Sequence, residues 1–172
     1  MSSEIIDMTY FADLSDYIYL PECIRSGTRN IGWLELGHDF DKAQPSEKDL
    51  NVLLEFCKIS IAQTRGVHTC SFCGNAGLPA MVKNESNLLL GTSEIRVFSA
   101  NDIIYSAPTL LYHYMSVHHY RPPDEFLIAL RNGPRPLMEG YFRRLNNIKL
   151  EWTKTSKSDA AASIFRFDEL PE

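Results

Sequence analysis

The chain has 172 residues, of which 44% are hydrophobic and 23% charged, a composition that excludes wholesale disorder and requires no disulfide scaffold. Its formal net charge of −5 argues against a general nucleic-acid coat. No run approaches the roughly 18 apolar residues of a membrane span, and the acidic N-terminus lacks the basic start of a signal peptide. We therefore expect a cytoplasmic protein without membrane association, in which the four cysteines are reduced and available to bind metal.

Hydrophobic spacing and turn residues predict three elements in the first third of the chain. Residues 10–19 form an aromatic N-terminal arm that packs on the core, and residues 30–34 form a short strand. Ser46 is the expected N-cap of a helix, with Asp49 three residues later in the position of a capping box. Apolar residues at helical spacing extend this helix to about Ile61.

The middle of the chain alternates predicted strands and helices. Residues 88–90, 94–98 and 103–105 are strand candidates separated by turns, so they predict a meander. Pro108 suits the first turn of a helix that ends near His118. Two further helical segments and a C-terminal strand are predicted at residues 125–131, 137–145 and 164–167.

Together these elements predict the α+β class, with a small antiparallel sheet, three to four helices and a zinc knuckle that joins a loop to a helix. Residues 1–152 are expected to form a single α+β domain that contains the zinc site. Residues 153–172 begin with a stretch rich in Lys, Ser and Ala, and they are expected to be a mobile linker and C-terminal segment.

A Cys-x-x-Cys pair, Cys70 and Cys73, carries the strongest chemical signal in the sequence. Two cysteines at this spacing point both thiolates at one ion, and Gly74 allows the tight turn that directs backbone N–H groups at the sulfurs. A redox pair would instead need a helix that starts at the first cysteine, but Gly77 and Pro79 follow closely. Two unrelated buried thiols are the remaining alternative. The pattern favours metal binding.

His113 and His118 have a spacing found in zinc-binding histidine pairs. On an unbroken helix, five residues turn through about 500°, which separates the two rings by roughly 140°. The rings converge if the helix loosens in its last turn, and the prolines at 122–123 support a helix end there. The sequence therefore predicts one zinc ion per chain, held by Cys70, Cys73, His113 and His118.

Two further histidines are rivals for the second pair of ligands. His68 lies two residues before Cys70, so on an extended segment it occupies the same face. His119 comes one residue after the predicted pair. The other two cysteines, Cys23 and Cys57, are most simply core residues.

A zinc ion with four protein ligands has no open position, so the predicted site is structural. The sequence lacks the His-Glu-x-x-His motif of zincin peptidases and the His-x-Glu and Pro-Cys-x-x-Cys pair of deaminases. It also lacks a Gly-x-Ser-x-Gly elbow, a phosphate loop and a dinucleotide fingerprint. A zinc-dependent hydrolase with an open coordination position is the enzymatic alternative, and its base would be Glu94, Asp102 or Asp124.

Four motifs in fixed order carry a family resemblance: Tyr-Phe-x-Asp-Leu-Ser from residue 10, Asn-Ile-Gly-Trp-Leu from 30, Arg-Gly-x-His-x-Cys-x-Phe-Cys from 65, and Tyr-His-Tyr-x-x-x-His-x-Tyr-x-Pro-Pro from 112. Over about residues 8–132 the chain resembles a bacterial family of small uncharacterised proteins. The resemblance implies no activity. The family pattern includes His68, Cys70, Cys73, His113 and His118, so it favours His118 over the neighbouring histidine and leaves His68 open.

Acidic residues are concentrated early in the chain. Residues 1–63 carry a net charge of −6, whereas residues 121–157 carry +4. Solvated faces of one domain are the simplest interpretation, and a surface for a basic protein partner is the functional one. We therefore predict a non-enzymatic protein that binds a protein partner, for example an immunity protein that neutralises a toxin such as a basic nuclease. The expected contact residues are Asp13, Asp16, Glu35, Asp39 and Asp41.

A nucleic-acid-binding module is a further, less favoured alternative. The basic segment, residues 121–157, contains no recognisable nucleic-acid-binding motif. The aromatic residues of this segment are equally consistent with packing in the core. The arginines that would contact nucleic acid are Arg121, Arg131, Arg135, Arg143 and Arg144.

Overall fold

A computed structural model describes residues 10–64, 66–74, 78–83, 87–154 and 163–165. Within this part of the chain, strands and helices follow one another in an α+β arrangement, which confirms the predicted class. A 3-10 helix, Pro21–Cys23, precedes the first strand. The strands and α-helices, in chain order, are β1 (Thr28–Asn30), α1 (Glu47–Cys57), β2 (Ile59–Ile61), β3 (Met81–Val82), β4 (Leu88–Leu89), β5 (Glu94–Phe98), β6 (Ile104–Pro108), α2 (Leu111–His118), α3 (Asp124–Asn132), α4 (Glu139–Asn147), β7 (Trp152–Lys154) and β8 (Ser163–Phe165).

Six of the strands form one sheet in the order β1-β6-β5-β2-β7-β8. The sheet is mixed, because β1 runs parallel to β6 while the other neighbours are antiparallel. Strands β3 and β4 form a separate two-stranded hairpin. In the described part of the chain, no helix has the length and apolar character needed to cross a membrane.

The core is centred on the β5–β6 hairpin, where every residue of both strands is buried. Side chains alternate across β5, so Ile95 and Val97 lie on one face and Glu94 and Arg96 on the other. Helices α1 and α3 pack against β5. Tyr105 of β6 also makes an edge-to-face contact with Phe126 of α3. The sheet and the helices thus enclose an apolar core on one side of the hairpin.

The opposite face of the hairpin carries a buried ion pair. Arg96 donates to Glu94 at 2.6 Å and to the Ser106 hydroxyl at 2.9 Å. The Tyr17 hydroxyl also donates to Glu94, at 3.0 Å. Because a buried charge must be paired and hydrogen-bonded, this network fixes the N-terminal arm on the sheet, as the aromatic pattern predicted. Phe11 of the arm packs edge-on against the rings of Tyr19 and Trp33.

Helix α1 begins as predicted but ends earlier. The Ser46 hydroxyl accepts a hydrogen bond from the N–H of Asp49, which confirms the cap. The predicted extension to Ile61 is wrong, because Ile59–Ile61 is strand β2 and pairs with β5 and β7. Isoleucine is β-branched and favours this extended conformation. The strand predicted at 30–34 lies instead at Thr28–Asn30, because the chain turns at positive φ immediately afterwards.

The predicted meander is only partly correct. Strands β5 and β6 pair as predicted, but β4 pairs with β3 rather than with β5. Pro108 is the last residue of β6, so α2 begins three residues later than predicted, at Leu111, and ends at His118 as predicted. Helices α3 and α4 confirm the two further helical segments, with α4 displaced by about two residues.

The C-terminal boundary at residue 152 stays a prediction. Strand β7, Trp152–Lys154, crosses that boundary, and β8, Ser163–Phe165, pairs with it. The remainder of the expected linker and C-terminal segment, residues 155–162 and 166–172, lies outside the described residues.

Candidate metal centre

The candidate site joins a loop to helix α2. We call residues 66–74, which follow β2, the Cys loop. Its entry is held by a hydrogen bond from the N–H of His68 to the carbonyl of Gly91, at 2.8 Å. Its apex is held by Phe72, whose ring packs edge-on against Phe40 and Tyr114. The loop thereby brings its two cysteines against the histidines of α2.

The ligand atoms of Cys70, Cys73, His113 and His118, the Cys2His2 cluster, all lie within 4.8 Å of one another. The Nε2 atom of His118 is 3.2 Å from the Sγ atom of Cys70 and 3.3 Å from that of Cys73. The Nε2 atom of His113 is 3.2 Å from the Cys73 sulfur. Cys70 is buried, the two histidines are half-buried and Cys73 is exposed, so the cluster opens toward the surface on one side.

The end of α2 explains how two histidines five residues apart converge. His118 is the last residue of the helix, and His119 takes a left-handed conformation with φ of 57°. The N–H groups of His119 and Tyr120 both donate to the carbonyl of Tyr114, that of Tyr120 at 3.0 Å, and these bonds close the last turn of the helix. The helix therefore ends at His118, as the sequence predicted, and both imidazoles reach the sulfur of Cys73.

Electrostatics at the cluster suit neutral imidazoles and a cation. Burial lowers the pKa of His113 and, together with the charge of Lys42, that of His118, so both rings are neutral near pH 7. Burial raises the pKa of the Cys70 thiol to about 11, and N–H groups of Phe72 and residue 73 that donate to its sulfur oppose that rise. A metal cation would reverse the effect of burial, because it favours the thiolate.

The interatomic distances fit a tetrahedral ion. With Zn–S about 2.3 Å and Zn–N about 2.0–2.1 Å, neighbouring ligand atoms of a zinc site stand roughly 3.3–3.8 Å apart. The observed sulfur–nitrogen separations of 3.2–3.3 Å lie at or just below the lower end of that range. His118 Nε2 faces two sulfurs at once, although a single ring nitrogen has only one proton or one lone pair to offer. A shared cation between the three atoms satisfies all of them.

The two rival histidines lie outside the Cys2His2 cluster. His68 lines a small surface pocket together with Tyr19, Trp33 and Glu94, and its backbone holds the entry of the Cys loop. His119 is the left-handed cap of α2, and its carbonyl accepts a hydrogen bond from the N–H of residue 43. Both residues therefore position the site through the backbone.

The remaining cysteines are core residues. Cys23 and Cys57 are both buried, with exposed fractions of 7% and 2%. Burial raises the pKa of the Cys57 thiol to about 12, so it stays protonated, and its Sγ lies 3.8 Å from the carbonyl of Thr109.

The three carboxylates that were candidate catalytic bases of a hydrolase interact with groups outside the Cys2His2 cluster. Glu94 accepts hydrogen bonds within the buried network on the sheet. Asp102 and Asp124 are exposed and face Arg144 and Arg121. None of the three belongs to the Cys2His2 cluster.

The five acidic residues expected to contact a partner have different environments. Asp13 accepts hydrogen bonds from the N–H of Gly32 at 2.8 Å and from the Tyr120 hydroxyl at 2.7 Å, and burial raises its pKa. Asp16 is exposed and pairs with Arg29. Glu35 is half-buried, whereas Asp39 and Asp41 are exposed.

Sequence reasoning missed one residue at the site, Tyr114. Its side chain is fully buried, and its ring packs against Phe72 and His118. The helical position of Tyr114, directly after His113 and four residues before His118, was the available signal.

An α+β domain with a Cys2His2 cluster between a loop and a helix defines the class of this protein. The chain belongs to the family of DUF7919, a domain of unknown function, whose model matches residues 9–131. The matched range contains all four residues of the cluster. No curated protein and no solved structure matches the chain.

Proposed function

We propose that the Cys2His2 cluster holds one structural zinc ion and that the protein is a non-enzymatic binding protein. The observation that carries the metal assignment is the convergence of two sulfurs and two imidazole nitrogens within 4.8 Å. Four protein ligands of this type complete the tetrahedral shell of zinc and leave no position for a substrate. When bound, the ion supplies a cross-link rather than a reactive centre.

The cross-link joins segments that are distant in sequence. Cys70 and His118 are 48 residues apart, and the Cys loop otherwise depends on a few contacts such as Phe72 with Phe40. Because a short loop without regular structure buries little apolar surface, an ion that ties it to α2 removes much of its freedom. The proposed role of zinc is therefore to fix the Cys loop on the domain.

Metal analysis of protein purified without chelator tests this proposal. The expected result is about one equivalent of zinc per chain, with Cys70 and Cys73 protected from a thiol reagent. Addition of a strong chelator should release the zinc and lower the melting temperature. Less than half an equivalent of any transition metal, with both thiols freely reactive, would overturn the assignment.

We further propose that the partner is a basic protein, such as a toxin nuclease, and that it binds near Asp39 and Asp41. Both residues are exposed, and Phe40 between them packs against Phe72 of the Cys loop. Phe40 therefore faces the domain while the carboxylates on either side of it face solvent, next to the loop that zinc would fix. Negative charge at the rim of an interface accelerates association with a basic partner.

Charge reversal tests the proposed surface once a partner is recovered by pull-down or from the gene immediately upstream. The double variant D39K/D41K should slow association about tenfold at low salt and less at high salt. The matched control D102K/E139K reverses two exposed charges whose ion-pair partners lie on α4, and it should associate like the wild type. Equal rates for all three proteins at both salt concentrations would contradict the proposal.

A further inference from the structure

The side chain of Asp13 joins the N-terminal arm to a residue just beyond the C-terminus of α2. Its Oδ2 atom accepts a hydrogen bond from the Tyr120 hydroxyl at 2.7 Å, and its Oδ1 atom accepts one from the N–H of Gly32 at 2.8 Å. Tyr120 is buried, with an exposed fraction of 1%. Hydrogen bonds that a carboxylate accepts are stronger than those between neutral groups. Asp13 therefore fixes the Tyr120 ring from the side of the arm.

Tyr120 lies two residues beyond His118 and holds the end of the helix that carries this member of the Cys2His2 cluster. The N–H of Tyr120 donates to the carbonyl of Tyr114 at 3.0 Å, which closes the last turn of α2. The carbonyl of His119 accepts a hydrogen bond from the N–H of Ala43 at 2.9 Å, so the intervening backbone is fixed as well. A shift of Tyr120 would therefore be transmitted to His118 through a short, hydrogen-bonded stretch of chain.

The Tyr120 ring also supports the Cys loop. It packs edge-on against Phe40 with ring centroids 5.8 Å apart, and Phe40 packs edge-on against Phe72 at 5.5 Å. The Phe72 ring in turn lies 5.5 Å from the imidazole of His118. A continuous series of packed rings thus runs from Tyr120 to the cluster. Close packing of this kind transmits displacement, because it leaves little free space.

The backbone that holds Asp13 packs tightly against α2. Gly32, which donates to Asp13, has a φ of 67°. A Cβ atom on Gly32 would lie 2.7 Å from the Cδ1 atom of Leu111 and 3.4 Å from the Tyr120 ring. The chain after β1 and the start of α2 therefore approach each other as closely as glycine allows, and the Asp13 carboxylate is bonded at that point.

We propose that Asp13 is a positioning residue of the metal site, which acts through Tyr120 to hold His118 and the Cys loop at ligand distance. This inference rests on the proposed zinc site. It gives Asp13 an internal role in place of the partner contact that the sequence predicts. Because coupling between two sites is reciprocal, zinc should also stabilise the docking of the N-terminal arm.

The variant Tyr120→Phe tests this proposal, because it keeps the ring and removes only the hydroxyl that donates to Asp13. Competition with a chromogenic chelator should show zinc affinity about fivefold weaker than in the wild type. Asp13→Ala should weaken zinc binding at least as much. The double variant should bind no more weakly than Asp13→Ala, since both substitutions remove the same bond.

Hydrogen exchange measures the reciprocal effect on the arm. The N–H groups of Leu14 and Tyr17 donate to carbonyls of β1, so their exchange reports whether the arm is docked. Zinc should slow their exchange in the wild type and slow it less in Tyr120→Phe. A bond that only supported the fold would instead destabilise the metal-free and zinc-loaded protein equally, and zinc affinity would not change.

The matched control is Tyr17→Phe, because the Tyr17 hydroxyl also joins the arm to a carboxylate, that of Glu94 on the sheet, at 3.0 Å. This variant should melt at a lower temperature but bind zinc like the wild type. If Tyr120→Phe keeps wild-type zinc affinity, or if Tyr17→Phe weakens zinc binding equally, the inference is wrong while the zinc site stands. If the wild type itself binds no zinc, the metal site fails and the inference fails with it.

Discussion

Gly91 and His68 approach each other so closely that only glycine fits at position 91. The N–H of His68 donates to the carbonyl of Gly91 at 2.8 Å, and a Cβ atom on Gly91 would lie 2.2 Å from the carbonyl oxygen of His68. Gly91 also has a φ of 90°, a conformation that L-residues rarely adopt. This contact fixes the entry of the Cys loop two residues before the first cysteine.

Gly91→Ala should therefore displace the Cys loop. Strain at positive φ and the backbone clash together should cost roughly 2–4 kcal/mol of unfolding free energy. Zinc affinity should fall as well, because the loop presents half of the ligands. Gly37→Ala is the control, since φ there is 92° but nothing lies within 4 Å of the added Cβ. That variant should lose about 1 kcal/mol and keep its zinc affinity, and denaturant melts with metal titrations measure both quantities.

Single substitutions of three histidines test which of them bind the metal. His118→Gln should abolish stoichiometric zinc binding, because its Nε2 faces both sulfurs. His119→Gln should retain about one zinc per chain, since its part in the site is the cap of α2. His68→Gln should also retain zinc, because its contribution is a backbone hydrogen bond. Metal content after dialysis distinguishes the three, and zinc loss from His119→Gln alone would reassign the ligand.

Cys73→Ser should make stability independent of metal. A structural zinc is worth about 10 kcal/mol or more in small modules, but here the large core retains most of the fold. We expect the variant to melt roughly 5–10 °C below the zinc-loaded wild type and to show no further change with chelator. The control Cys23→Ala removes a core thiol and should remain sensitive to chelator. An unchanged melting temperature for Cys73→Ser would show that the metal is peripheral to stability.

The ion pair between Asp49 and Arg131 predicts a specific pH dependence. Arg131 donates to both carboxylate oxygens, at 2.7 Å and 2.6 Å, and these hydrogen bonds lower the pKa of Asp49 below its ordinary value of 3.8. The pair therefore stabilises the fold above about pH 4, and this contribution disappears as the pH falls through the lowered pKa.

Asp49→Asn should lose about 1–3 kcal/mol at pH 7, because the Asp49 side chain is buried and its hydrogen bonds involve charged groups. The difference from the wild type should shrink below pH 4, as measured by denaturant melts across the pH range. The exposed pair of Asp124 with Arg121 supplies the comparison, since Asp124→Asn should change stability by less than about 1 kcal/mol. A pH-independent deficit for Asp49→Asn would contradict this account.

The residues of the Cys2His2 cluster could be predicted from the sequence because metal-binding patterns depend on short spacings. The spacing of Cys70 and Cys73, followed by a glycine, determines a knuckle wherever it lies in a fold. The end of α2 near His118 could likewise be predicted from the prolines that follow. The cap of α1 at Ser46 is a local hydrogen bond, and it too follows from the sequence alone.

Only the tertiary structure decided which long-range contacts form. The partner of β4 depends on the whole sheet, since a short apolar strand can pair with any neighbour that buries it. The sequence predicts that Asp13 is a surface carboxylate, but the hydroxyl of Tyr120, more than 100 residues away, donates a hydrogen bond to it. The close contact between Gly91 and His68 arises the same way. Local spacing determines which groups can bind a metal, whereas burial by distant segments determines what surrounds them.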